Sequence, residues 1–255
     1  MKPHRVMLTH SLVHSYRLDK HFDVFSPQIK PITQFHPEDL LKNYTSLDND
    51  CPSFPGISEY SMRVVSGTLN AARMLVGREY GDGFFPKTGS LCNIGEGRGY
   101  RHACNVPLKA GITDECYQYV FEPVVERCIR RIRPDIIVLQ CGADSIVGDR
   151  IGCFNLSIGG HGRCLEFVKS FGVPMLVLGG GGYTTGNVSR CWTYETSVVC
   201  GQHIQDAIPE HDPYYMHYGP EYTMSPALPT KHKNQNTKEL LEAIMGFVFG
   251  VVDKI

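Results

Sequence analysis

Two short apolar runs, separated by a segment with helical spacing, constrain the fold of this chain more than any other feature. The runs are IIVLQ at 136–140 and PMLVL at 174–178, and each is bounded by glycine and too continuous for a half-exposed strand. Between them, Leu165, Val168 and Phe171 recur at the spacing of one helix face. The order strand, helix, strand predicts a βαβ unit with two buried parallel strands.

The same apolar spacing predicts further helices. They cover a short segment around Thr9–Tyr16 and residues 59–77, 115–132, 187–199 and 237–252. Residues 77–105 are rich in glycine and are predicted to form a loop, and residues 203–236, rich in Pro, Tyr and His, are predicted to wrap over the surface. For 255 residues, one α/β domain covering 1–255 is the simplest organisation.

Charge and composition exclude several classes of function. With 25 Lys and Arg against 26 Asp and Glu, no general excess of positive charge draws the chain to nucleic acid or to an anionic membrane. We therefore expect no direct nucleic-acid binding and no membrane association, and a polyanion would have to meet a local basic patch. No run approaches the about 20 apolar residues of a membrane span, and the start lacks the apolar core of a signal peptide. The ten cysteines contain no C-x-x-C pair, which favours reduced thiols.

Polar residues that follow the two predicted strands are the first candidates for chemistry. In open α/β sheets the ligand lies beyond the carboxyl ends of the strands, and Asp144 and Tyr183 each follow one of the runs. Taken singly, Asp144 is as well explained as a turn or helix-capping residue, and Tyr183 as a packed aromatic. The four glycines at 179–182 suggest that a ligand or another chain passes close by.

Common catalytic and nucleotide motifs are absent. G-x-G-x-x-G does not fit the glycine run, because its third glycine falls on Thr184 or Thr185. G-x-x-x-x-G-K-[ST] is excluded because the chain has no Gly-Lys-Ser/Thr triplet, and G-x-S-x-G does not occur. His10 and His14 stand four residues apart without the glutamate of an H-E-x-x-H motif, which favours surface or core histidines. The basic residues at the start of the chain either bind an anion or are simply solvated, and these are Lys2, His4 and Arg5.

Read together, a series of strings resembles the class I histone deacetylases, most closely the member that works in nuclear-receptor corepressor complexes. The strings are KPHR near the start, DCPSFPG at 50–56, FFPKTG at 84–89, LQCGADS at 139–145, DRIGCFNLSIGGHG at 149–162, VKSFGVPMLVLGGGGYT at 168–184 and RCWTYET at 190–196. The resemblance implies a single domain of the arginase/deacetylase type, with a central, mostly parallel sheet flanked by helices.

The resemblance also implies a mechanism and roles for individual residues. In this family a zinc ion polarises the acetyl-lysine carbonyl and activates a water, a histidine acts as general base, and a tyrosine stabilises the oxyanion. By the motif match, Asp144 is a zinc ligand and Tyr183 is the oxyanion donor. The resemblance further assigns residues to substrate binding, namely Asp50 at the rim, Phe85 in the wall of the acetyl-lysine tunnel and Ile151 at its mouth. It places Lys2 and Arg150 in a pocket for an inositol polyphosphate.

Departures from the family are as informative as the match. A His-His-Ala-Lys stretch and an Asp-x-His-His-Gly-Asp-Gly stretch, which carry the general base and two more zinc ligands, are expected before FFPKTG, but only residues 78–83 fill that space. The sequence thus predicts an incomplete domain that lacks the catalytic segment near 77–84 and the family's first strand. Spare histidines such as His102 or His161 would need exact placement to replace the lost ligands. Gly186 stands where an arginine helps the inositol phosphate pocket.

The function implied by the resemblance is zinc-dependent hydrolysis of N-acetyl-lysine on histone tails, which represses transcription. The alternative is a catalytically dead, corepressor-binding or decoy form, and a third possibility is a fragment that does not fold stably. The implied partners are acetylated histone tails, corepressor subunits and an inositol polyphosphate. The implied role is that of a chromatin regulator in the nucleus, and also in the cytoplasm.

Overall fold

The computed structural model describes residues 3–24, 89–230 and 232–255. From His4 to Phe22 and from residue 89 onward, these residues belong to one compact unit, and the fold is described for that unit. The helix predicted over 59–77 and the start of the predicted loop lie outside the described residues. The rest of that loop, from residue 89, has no regular structure except a 3-10 turn at Gly97–Gly99.

The described helices are α1 (Pro3–Ser15), α2 (Asp114–Ile132), α3 (Ile158–Lys169), α4 (Thr185–Cys200) and α5 (Lys238–Val252). The strands are β1 (Ile137–Cys141) and β2 (Met175–Gly179). Further 3-10 turns lie at Leu18–His21, Ala143–Ser145 and Tyr215–Tyr218. The predicted helices near 115–132, 187–199 and 237–252 are confirmed to within two residues at each end.

The predicted βαβ unit is present. Strands β1 and β2 pair in parallel, in a register that runs from Ile137 opposite Met175 to Cys141 opposite Gly179. Helix α3 lies between them in the chain and begins after Ser157, whose hydroxyl accepts a hydrogen bond from the Gly160 N–H at 2.9 Å. The described elements therefore form an α/β fold with a parallel sheet.

Helix α1 begins earlier than predicted, at Pro3 instead of near Thr9. Proline is tolerated in the first turn of a helix, where its missing N–H would have no intrahelical acceptor, so Pro3 does not prevent this earlier start. Leu8, Leu12 and Val13 are the residues that α1 buries. The helix is therefore held by packing along one side.

Three clusters of buried side chains form the core of the described unit. The largest joins α2 and α5, through residues such as Val120 and Val248, to Ile112 and Leu156. A second packs the turn after β1 against α3 and α4, and a third packs Leu12 of α1 against the segment at 203–236. Burial of these apolar surfaces is the main stabilising term, at about 25 cal/mol per Å².

Two predictions about burial are wrong. The strands are not buried on both faces, because Val138 of β1 is 57% exposed and exposure alternates along that strand. Nor does the segment at 203–236 only wrap the surface, since Tyr218 is fully buried and Met224 nearly so. Buried Arg190 of α4 holds this segment by donating hydrogen bonds to the carbonyls of Tyr218 and Thr223.

Among the helices that the structure describes, none is long and apolar enough to cross a membrane.

Truncation of Val248 should measure how much the cluster between α2 and α5 contributes to the free energy of unfolding. Val248 is 1% exposed, so Val248→Ala removes two buried carbons and leaves a cavity, which we expect to lower the free energy of unfolding by about 2 kcal/mol. Val199→Ala is the matched control, because this helical valine of α4 is 43% exposed and its loss should cost less than about 0.5 kcal/mol. Urea unfolding of both variants provides the measurement, and equal losses would contradict the assignment of the core.

Candidate active site at the sheet edge

Asp144 and Tyr183 lie at the same edge of the sheet, as predicted. Strands β1 and β2 end opposite one another, and the Ala143 N–H donates to the Gly181 carbonyl at 3.0 Å just beyond the strand ends. Asp144 lies in the 3-10 turn that follows β1, and Tyr183 follows the glycine run after β2. This is the edge at which open α/β sheets bind ligands.

A buried carboxylate that the sequence analysis did not single out holds the two loops of this edge together. Asp149 is 3% exposed, and its Oδ1 accepts hydrogen bonds from the N–H groups of Ile151 and Gly152, both at 2.9 Å. Its Oδ2 accepts from the N–H groups of Tyr183 at 2.7 Å and Thr184 at 3.3 Å. Asp149 thus fixes the backbone that carries Tyr183. The available signal was the Asp at the start of DRIG, since aspartate often bonds the backbone two residues on.

The glycine run is required by side chains of this chain. A Cβ at Gly180 would overlap the Gln140 amide, and one at Gly181 would overlap the Asp144 carboxylate. Gly182 has φ +124°, which L side chains rarely adopt, and its Cβ would lie 2.6 Å from Val188. The sequence predicted that a ligand or another chain approaches these glycines, whereas in the structure it is side chains of the same chain that lie against them.

Helix α1 places the guanidinium of Arg5 beside the glycine run at 179–182. The Arg5 Nη1 donates to the Gly182 carbonyl at 2.9 Å, and its guanidinium lies 5.0 Å from the centre of the Trp192 ring. Trp192 in turn donates from Nε1 to the Cys141 carbonyl at 2.7 Å, which fastens α4 to the end of β1. Arg5 is therefore bound to the chain and not simply solvated.

Burial decides the electrostatics of Asp144. Burial raises the pKa of its carboxyl above the usual value, and the nearby Asp149 charge raises it further. A backbone hydrogen bond at Asp144 and the charges of His161 and Arg5 act in the opposite direction and only partly offset this effect. The carboxyl is consequently held in a setting that favours a bound cation or a proton as partner.

His161 supports the turn that carries Asp144. Its Nε2 lies 3.0 Å from the Gly142 carbonyl, to which it donates, and its Nδ1 lies 2.6 Å from Oε1 of Glu195. Burial acts to lower the pKa of His161, but the Glu195 carboxylate and the Gly142 carbonyl outweigh it and raise that pKa overall. The raised pKa favours the imidazolium form beside the Glu195 carboxylate, and the two side chains are 14% and 4% exposed.

The described residues do not form a zinc site around Asp144. Within them, the one group of at least three potential ligands with all ligand atoms inside 4.8 Å is His161, Cys191 and Glu195, and Asp144 is not part of it. Both ring nitrogens of His161 are already hydrogen-bonded. Burial, with the Glu195 charge, raises the pKa of the Cys191 thiol well above its usual value, whereas a metal binds the thiolate. A catalytic zinc normally has three protein ligands and an open position, so the donor set in the described ranges does not fit.

The remaining predicted site residues have varied positions. Ile151 is 66% exposed and Arg150 is exposed, both beside the Asp149 turn. Exposed His102 lies with Nδ1 3.0 Å from the Tyr100 carbonyl and belongs to no metal-ligand group in the described ranges. Asp50, Phe85 and Lys2 lie outside the described residues. Their roles, and those of Asp144 and Tyr183, stay predictions.

The fold and the site together define a class: an α/β protein whose candidate catalytic groups follow the carboxyl ends of neighbouring parallel strands. Residues 78–199 match the histone deacetylase domain. Histone deacetylase 1 of Homo sapiens is 33% identical over 340 aligned positions, which cover 98% of this chain and 70% of that protein, and the proteins of Bos taurus and Rattus norvegicus give the same values. The chain therefore belongs to the histone deacetylase family, as its class I motifs predicted.

Removing one partner of the buried pair should strongly destabilise the protein. Glu195→Gln leaves a buried imidazolium without its counter-charge, and we expect a loss of about 3–5 kcal/mol in the free energy of unfolding. The control is Glu126→Gln, because Glu126 pairs with Arg130 on the exposed face of α2 and such pairs contribute about 0.5 kcal/mol or less. Urea unfolding at pH 6 distinguishes the two variants. Similar small losses in both would show that the His161 and Glu195 pair is not formed.

The same pair should give a defined pH dependence. Because the folded-state pKa of His161 lies above 6.5, its contribution to stability is complete below pH 6.5 and is lost as the pH rises through the folded value. The cost of His161→Gln should therefore be larger at pH 6 than at pH 9. A cost that is independent of pH would contradict the charged state assigned to His161.

Gly181→Ala should disturb the Asp144 loop directly. The new methyl group would overlap the Asp144 carboxylate, so either side chain or loop must move, and we expect a loss of about 1–3 kcal/mol. In Gly159→Ala the new methyl group would lie 3.7 Å from the Ser157 hydroxyl, an ordinary contact, and this helical control should be neutral or stabilising. Thermal and urea unfolding provide the comparison. A neutral Gly181→Ala would contradict the position of Asp144.

Proposed function

We propose that this chain is a non-catalytic, corepressor-binding form of a histone deacetylase, the family whose parent activity is the zinc-dependent hydrolysis of acetyl-lysine on histone tails. The observation that carries the proposal is the contrast at the sheet edge. The loops that hold Asp144 and Tyr183 are ordered by the four hydrogen bonds of Asp149, yet no described residue joins Asp144 in a group of three metal ligands.

The sequence supports the same conclusion. The His-His-Ala-Lys and Asp-x-His-His-Gly-Asp-Gly stretches of the family do not occur anywhere in the chain, so the usual general base and two zinc ligands have no counterpart. The aligned region with human histone deacetylase 1 spans 340 positions, whereas this chain has 255 residues. Many positions of that relative therefore have no residue of this chain opposite them, which supports an internal deletion.

Tyr183 is the part of the machinery that this chain retains in a usable position. Its N–H is fixed by Asp149, while its side chain is 43% exposed and can reach a molecule bound at the edge. A phenol in such a position can donate a hydrogen bond to a developing oxyanion. Without a group that generates the nucleophile, this donation gives recognition of a carbonyl but no hydrolysis.

The proposed partners follow from the family surface. Exposed Arg150 lies next to the Asp149 turn and would contribute to an inositol polyphosphate pocket between this chain and a corepressor subunit, as in the corepressor-associated member that the sequence resembles. Gly186 supplies no guanidinium there, so binding is expected to be weak. A chromatin-associated, repressive role in the nucleus, and also in the cytoplasm, completes the proposal.

Zinc content and turnover test the proposal together. The purified chain, equilibrated with zinc and desalted, should retain far less than one zinc per chain by mass spectrometry and should not hydrolyse an acetyl-lysine peptide, because a single carboxylate does not hold zinc. The variants Asp144→Asn and Tyr183→Phe should give the same values as the unmodified chain. A catalytic histone deacetylase in the same assay is the positive control.

Two results would overturn the proposal. Near-stoichiometric zinc with turnover that a hydroxamate inhibits and Tyr183→Phe abolishes would show a working enzyme. The absence of a cooperative unfolding transition would show a fragment that does not fold, and thus no decoy. Inactivity in a chain that unfolds cooperatively is the expected outcome.

A further inference from the structure

Two cysteines from different parts of the chain meet away from the candidate active site. Cys104 lies in the irregular segment before α2, Cys128 lies in α2, and their Sγ atoms are 4.0 Å apart. All nine cysteines of the described ranges are free thiols. Because the S–S bond is about 2.05 Å long, the two sulfurs need to approach by about 2 Å to form it. The geometry points to Cys104 and Cys128 as a redox-sensitive dithiol that a peroxide converts to an intramolecular disulfide.

The two sides of the pair differ in exposure and support. Cys128 is half-buried and packs against the largest core cluster. Its neighbour Arg127 donates from Nε to Asp253 at 2.7 Å and lies over the Phe249 ring at 4.5 Å, so this part of α2 is held against the C-terminal helix. Cys104 is exposed and lies in backbone without regular structure. We therefore expect Cys104 to make most of the movement that closes the bond.

The segment that carries Cys104 is held by hydrogen bonds to the loop before it. The side-chain amide of the next residue, Asn105, donates to the carbonyls of Ser90 at 3.2 Å and Asn93 at 2.7 Å. These bonds tie the segment to the preceding loop. The Cys104 thiol has Cys128 as its hydrogen-bond partner, which orients the two sulfurs toward each other.

The contact also assigns different chemical roles to the two thiols. The hydrogen bond between the two thiols lowers the pKa of Cys104 to about 7, while burial acts in the opposite direction. The same hydrogen bond, together with burial, raises the pKa of Cys128. Because Cys104 is also the exposed member of the pair, it is the thiol that an oxidant reaches first, and half-buried Cys128 is the thiol that then closes the disulfide.

The proposed reaction has two steps with hydrogen peroxide as the oxidant. The Cys104 thiolate attacks one peroxide oxygen, the O–O bond breaks, and the hydroxide that leaves takes a proton from solvent, which gives a sulfenic acid and one water. The Cys128 sulfur then attacks the Cys104 sulfur, the S–O bond breaks, and the leaving hydroxide takes the Cys128 proton as a second water. Two thiols lose two electrons in total, and peroxide is reduced to two waters.

The resting state of this pair is the dithiol. The sequence favours reduced thiols, and intracellular disulfides in mesophiles are usually transient and redox-sensing. Exposed Cys92 and exposed Cys153 provide internal controls, because an oxidation governed by exposure alone would modify them equally. Cys104 and Cys128 differ from these two cysteines because their sulfurs lie close together and because the pKa of Cys104 is lowered.

Peroxide titration of the full chain tests the proposal. After treatment with one equivalent of hydrogen peroxide at pH 7, blocking of free thiols and digestion, mass spectrometry should find Cys104 linked to Cys128 and the link should disappear with dithiothreitol. In Cys128→Ser, a dimedone probe should trap the sulfenic acid at Cys104. In Cys104→Ser, Cys128 should stay reduced. Cys153→Ser should behave like the unmodified chain.

The pH dependence of alkylation provides an independent readout. The rate at which iodoacetamide modifies Cys104 should have its midpoint near pH 7 in the unmodified chain and should move to higher pH in Cys128→Ala, because alanine has no group that can donate a hydrogen bond to the thiolate. Preferential linkage of Cys104 to Cys92, or oxidation of Cys92 and Cys153 at the same rate as Cys104, would overturn the proposal. An alkylation midpoint unchanged by Cys128→Ala would also overturn it.

Discussion

The candidate site depends on one buried carboxylate, that of Asp149, which accepts four backbone N–H groups from two loops. These loops follow different strands, and the Asp149 carboxylate is the acceptor that their N–H groups share. Through the same bonds Asp149 positions the backbone of Tyr183 and closes the turn that carries Ile151. The geometry of the edge therefore follows from the satisfaction of hydrogen bonds more than from any single catalytic residue.

The glycine run, and the buried pair of His161 and Glu195, also support the turn that carries Asp144. Because Gly181 has no side chain, the Asp144 carboxylate occupies the space in which its Cβ would lie. His161 donates to the Gly142 carbonyl at the start of the same turn, and Glu195 balances the charge of His161. Both arrangements keep one conformation of the turn, and both persist in a chain whose described residues hold no set of zinc ligands around Asp144. The contacts that hold the Asp144 turn in place therefore do not depend on a set of zinc ligands in the described residues.

The sequence predicted the parts of the fold that depend on local periodicity, and it failed where tertiary contacts decide. The spacing of Leu165, Val168 and Phe171 sufficed for the βαβ unit, and the strand ends sufficed to place Asp144 and Tyr183 at one edge. Burial of the strands could not be predicted, because it depends on which elements flank Val138 and not on its own neighbours. Asp149 escaped notice for the same reason: two of its four donors lie 34 and 35 residues away, on a loop that no local pattern connects to it.

The main core of the described unit lies apart from the candidate site. The largest buried cluster joins α2 to α5, and it shares no buried residue with the cluster that packs the turn after β1 against α3 and α4. The main source of apolar burial among the described residues is therefore separate from the sheet edge. The Cys104 and Cys128 pair lies beside that largest cluster, through Cys128, and not beside Asp144. A redox event there would act on the stable part of the molecule, where it can alter the segment before α2 without requiring a catalytic centre.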